Sequence, residues 1–109
     1  MPIYAVTYEY EPSTQTFLNE LRHSHRSYLR GLNAQGKLIS SGHLRDATFA
    51  GALLLMHTAT AREAQELLEK DPFFSQGLVR RIIIREWEPT IGDMAEKFET
   101  PADFPQPNP

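Results

Sequence analysis

The chain contains no cysteine. That removes disulfides, thiolate metal sites and cysteine nucleophiles together, and it suits a reducing compartment. Positive charge is also in short supply. Eleven Lys and Arg stand against fourteen Asp and Glu, for a net charge of −3, so the basic face expected of a general nucleic-acid binder is missing. No long hydrophobic run occurs. The opening MPIYAVTYEYEP has neither the basic start nor the apolar stretch of a signal peptide, and nothing approaches a membrane span. The six glycines form neither a Gly-Lys-Ser/Thr phosphate loop nor a Gly-x-Ser-x-Gly nucleophile elbow. These absences lead to the expectation of a single cytoplasmic domain that binds neither nucleic acid nor membrane.

What is present alternates between two periodicities. Ile3 to Tyr10 sets Tyr4, Val6, Tyr8 and Tyr10 on one side and Ile3, Ala5, Thr7 and Glu9 on the other, the period of a strand with both faces partly covered. Pro12, Ser13 and Thr14 end it and offer caps for a helix. From Leu18 to Gly36, Leu18, Leu21, His25, Tyr28/Leu29 and Leu32 share one side at about 100° per residue. His23 lies about 200° round from that stripe and points to solvent, with Arg26 and Arg30 beside it. Asn33 to Gly36 stops the helix. Lys37 to Leu44 reads as a strand and residues 45–48 as a loop. Ala50 to His57 is a buried strand whose Gly51 allows a bulge or a close approach.

Thr60 and Glu63 mark the start of a second helix, on which Ala64, Leu67, Leu68 and Asp71 fall at offsets 0, 3, 4 and 7. Pro72 places Asp71 in the last turn or at the exit. Leu78 to Trp87 is a strand. Five of the eight prolines lie from Pro89 onward, so residues 89–109 read as a proline-rich tail to a domain over 1–88, with Met94 and Phe98 able to anchor a short piece of it.

The order β-α-β-β-α-β predicts an α+β, ferredoxin-like fold: a four-stranded antiparallel sheet with both helices on one face. The helix-free face is too apolar for water, which predicts a homodimer with the sheets face to face. Two polar side chains interrupt the inward stripes. His25 needs a hydrogen-bond partner. Asp71, at the negative end of a helix dipole, needs a donor or a cation. No metal site is expected, since His23 and His25 diverge on a helix and no carboxylate follows His25 by one turn.

Arg22-x-x-His25, the eleven-residue step from His25 to Gly36, Gly36-Lys37-Leu38 leading to Gly42, and Asp71-Pro72-Phe73 together resemble the YciI-like, or YCII-related, family over Ile3 to Glu88. The resemblance implies a dimeric α/β barrel of ferredoxin-like protomers and an active-site dyad, which by position is His25 with Asp71. Where the family commonly has Gly-Pro, this chain has Gly42-His43. Arg22, Ser41 and His43 complete the expected site as substrate-binding residues, with Arg22 facing an anionic group.

The expectation is therefore a cofactor-independent enzyme that moves a proton on a small cyclic or aromatic organic acid, of lyase, isomerase or dehydrochlorinase type. In it His25 acts as base and acid, and Asp71 fixes its tautomer. One rival is a non-catalytic module that senses a small molecule in the same pocket. Another, a haem or oxygenase-type relative, would be coloured or consume oxygen.

Overall fold

The computed structural model describes residues 1–45 and 48–98. The loop expected over 45–48 lies partly outside them, and the proline-rich stretch 101–109 wholly so. Four strands, β1 (Ile3–Tyr10), β2 (Leu38–Leu44), β3 (Gly51–His57) and β4 (Val79–Trp87), form one antiparallel sheet in the order β2-β3-β1-β4. The long helix α1 (Gln15–Ala34) and the shorter α2 (Ala61–Leu68) are the two helices expected. Two single-turn helices join them: α3 (Pro72–Ser75) and α4 (Asp93–Lys97).

Strand register sorts the side chains. Tyr4, Val6 and Tyr8 pair with Met56, Leu54 and Ala52 across β1 and β3. With Tyr10 these residues are buried, together with Leu18, Leu29 and Leu32 of α1 and Ala64 and Leu68 of α2. That is the core, and it realises both the period of two and the helical stripe. The opposite face carries Ala5, Thr7, Leu53, Leu55 and Ile83 at intermediate exposure. At one end of it Phe98 sets its ring edge-on to His57, with centroids 5.3 Å apart, and Ile3, the strand partner of His57, is buried. Of the stretch from Pro89, the described part thus reaches the sheet through Phe98, just after α4.

Local chemistry explains where the elements stop. After α1, Gly36 adopts φ +76°, Lys37 N–H donates to the Leu32 carbonyl at 2.9 Å and Gly36 N–H to that of Asn33 at 3.0 Å. This is the paired C-terminal bonding that a left-handed residue permits. Helix α2 opens as its sequence foretells, with Thr60 Oγ1 accepting from Glu63 N–H at 3.0 Å. The Glu63 carboxylate reaches back to Ala59 N–H at 2.9 Å and takes Lys37 Nζ at 3.0 Å. Those bonds, the Ala59 amide first, hold its acidity below the usual carboxylate range.

Asp71 is a correction. Helix α2 ends at Leu68, so Asp71 does not extend its stripe. It stands in extended geometry (φ −65°, ψ 129°) as the N-cap of α3, accepting from Phe73 N–H, with Pro72 as the first helical residue. Proline disfavours the helical conformation before it and suits the first turn after it, which moves the carboxylate from the unfavourable end of one helix to the favourable end of the next.

Candidate active site

Asp71 is fully buried, a costly place for a carboxylate unless every lone pair is used. Its Oδ2 accepts from the Tyr8 hydroxyl at 3.0 Å. Its Oδ1 accepts from Phe73 N–H at 3.1 Å and lies 2.7 Å from His25 Nδ1. An ionised carboxylate has nothing to donate, so Nδ1 carries the hydrogen of this bond, and in the neutral ring the lone pair then lies on Nε2. The Tyr8 hydroxyl is pushed far above the ordinary tyrosine range, by burial first and by the Asp71 charge second, and it stays a donor at any physiological pH.

The imidazole is fixed in plane as well as in tautomer. Phe73 stacks on it with centroids 3.9 Å apart and planes 6° from parallel. The same ring meets Tyr10 edge-on at 5.5 Å. Asp71-Pro72-Phe73 therefore supplies both the acceptor and the stacking surface, because one residue caps α3 and the other sits inside its first turn. His25 itself is only 7% exposed. Nε2 has no protein partner among the described residues, and none of the buried side-chain nitrogens and oxygens is unpartnered, so Nε2 opens to the space beside it.

That space is a cavity of about 430 Å³ between α1 and the exposed edge strand β2. Arg22, His25, Arg26, Arg30 and Asn33 line it from α1, and Tyr10 and Phe73 close the end nearest the imidazole. Ser41 and His43 lie across from α1. They pair with Leu54 and Ala52, so they share the helix-covered face, after a register shift between Leu38 and Ser40.

The structure thus brings His25 and Asp71 into contact and places Arg22, Ser41 and His43 around one hollow. It also enlarges the set. Tyr8, which the alternation of β1 only assigns to a face, is Asp71's third donor. The signal for it was chemical, since a buried tyrosine hydroxyl needs an acceptor. Arg26 and Arg30, expected beside His23 on the solvent side, are exposed yet rim the cavity, whereas His23 is exposed and does not. Tyr10's hydroxyl is pushed up to about 12, by burial first and then by the Asp71 charge, against the opposing pull of Arg22 and Arg26.

A ferredoxin-like sheet with a histidine bonded to a buried carboxylate beside a cavity defines a class: small α+β proteins with a buried His–Asp pair. The particular family follows from sequence, because the YCII-related domain model matches residues 3–88, and the chain belongs to that family. No curated protein matches it by sequence. Among solved structures it is similar to 5-chloro-2-hydroxyhydroquinone dehydrochlorinase (TftG) from Burkholderia phenoliruptrix AC1100 in complex with 2,5-dihydroxybenzoquinone. The TM-score is 0.70 and the identity 22%, over 79% of this chain and 93% of that one. The likeness extends the shared fold, including the four-stranded sheet and its helices, to a solved protein.

Proposed function

We propose that this protein is a small enzyme that moves a proton on a cyclic or aromatic organic acid, with His25 as the proton carrier and Asp71 as its anchor. One observation carries the reading: Nδ1 is tied to a buried carboxylate at 2.7 Å while Nε2 faces the cavity. Nε2 takes a proton from a carbon or hydroxyl of the bound ring, and the electron pair left behind moves into the ring. In a lyase it expels a leaving group as its anion, for net loss of H–X. In an isomerase the proton returns at another carbon. Asp71 stays ionised throughout and stabilises the transient imidazolium. Arg22, Ser41 and His43 orient the substrate. The dehydrochlorinase named for the TftG structure makes loss of HCl from a chlorinated hydroxylated ring the form to try first.

The test is turnover of hydroxylated and halogenated aromatic acids by the purified protein. His25→Ala is expected to lower turnover by on the order of 10²- to 10⁴-fold, and Asp71→Asn to lower it while leaving the cavity in place. Turnover unchanged in both variants overturns the proposal. A ligand bound tightly and recovered unaltered points to a sensing module instead. We further propose that the working form is a homodimer joined through the helix-free face of the sheet.

A further inference from the structure

The charge around the cavity is one-sided. Arg22, Arg26 and Arg30 stand at i, i+4 and i+8 on one edge of α1, and all three line the hollow. No Asp or Glu lines it among the described residues, in a chain whose net charge is −3. Guanidinium groups stay charged at any physiological pH, and like charges one turn apart weaken a helix, so the row is a standing cost unless something anionic meets it. Arg22 Nη1 donates to Asn19 Oδ1 at 2.7 Å. Arg26 and Arg30 have no carboxylate partner among the described residues.

The three arginines also divide along the cavity. Arg22 and Arg26 flank His25 in sequence along α1 and line the cavity with it, which makes them the pair at the His25 end. Arg30 lies a turn further on, about 6 Å along the axis, towards Asn33 and Leu38, which are joined by a 2.8 Å bond from Asn33 Nδ2 to the Leu38 carbonyl. We infer that the cavity takes a ligand bearing two anionic groups about one helical turn apart, one held by Arg22 and Arg26 near the imidazole and the second by Arg30. This rests on the proposed function only in taking the same cavity as the site, and it narrows the substrate class from organic acids to diacids.

The experiment is titration calorimetry on the full chain at low ionic strength, with benzoate, terephthalate and neutral terephthalamide as probes. Terephthalate carries its carboxylates at opposite ends of one ring. It is expected to bind about tenfold more tightly than benzoate, the worth of one further charge-assisted contact, and terephthalamide is expected to bind more weakly than either. Arg30→Gln, an exposed helix position that folding tolerates, should bring terephthalate to within about twofold of benzoate and leave benzoate unchanged. Arg62→Gln, on α2, should change neither. The idea is overturned if terephthalate has no advantage over benzoate, if the advantage survives Arg30→Gln, or if Arg62→Gln abolishes it equally. His25→Ala should keep the diacid preference, so preference without turnover would remove the enzyme reading alone, and turnover without preference would remove this one alone.

Discussion

Tyr8 carries its hydroxyl into the buried core between the sheet and the helices, and Asp71 Oδ2 is its partner at 3.0 Å. Tyr8→Phe leaves that oxygen without its donor. A hydrogen bond to a buried charge is worth about 1–3 kcal/mol, so chemical denaturation should show a loss of that size with an unchanged dependence on denaturant. Turnover should fall as well, since the carboxylate is then held from two sides instead of three. A variant as stable as the parent would show that the contact contributes nothing. At this scale the sequence was legible where a polar residue broke an apolar pattern: His25 among leucines, Asp71 after Leu67 and Leu68. It was silent on Tyr8, because alternation assigns a side chain to a face and says nothing about what its hydroxyl meets. It was silent too on Arg26 and Arg30, whose length lets an exposed helix position reach round to a cavity rim.

Elements were read most faithfully where period and punctuation agreed. Strand β1 occupies the interval its alternation marks, and α1 stops where Gly36 permits. The register shift early in β2 has no such signature, yet it decides that Ser41 and His43 face the helices. Gly51 was read as a place for close approach, and the structure supplies the reason: a Cβ there would collide with the Tyr8 carbonyl. Gly51→Ala must push β3 away from β1, and overpacking of this kind costs about 1–3 kcal/mol. Thermal unfolding should show the midpoint falling by several degrees, with loss of turnover exceeding that of a surface variant of equal stability, because the collision falls on the backbone of Tyr8 in β1, whose hydroxyl holds Asp71. An unchanged midpoint would mean the backbones separate without cost.

On the scale of the whole molecule, the helices cover one side of the sheet unevenly. The core lies under α1 and α2, while β2 at the edge is exposed for most of its length, and that shortfall is the cavity. The other side holds half-buried Leu53, Leu55 and Ile83, with Leu44 and Trp87 at 40% and 37% exposure, an apolar surface that a second copy would cover. Light scattering after gel filtration should return twice the 12.4 kDa chain mass. Leu53→Lys, which points a charge out of that face, should halve it without unfolding the protomer. A clean monomer at micromolar concentration contradicts the dimer.

The buried carboxylate of Asp71 draws its three donors from the first strand, the long helix and the turn that follows the second helix, across sequence separations of 63, 46 and 2 residues. All three meet only when β1, α1 and the first turn of α3 are packed together. On the proposed reading, a form of the chain in which any one of these elements has opened loses the fixed imidazole, so partial unfolding should abolish turnover before the chain is fully denatured.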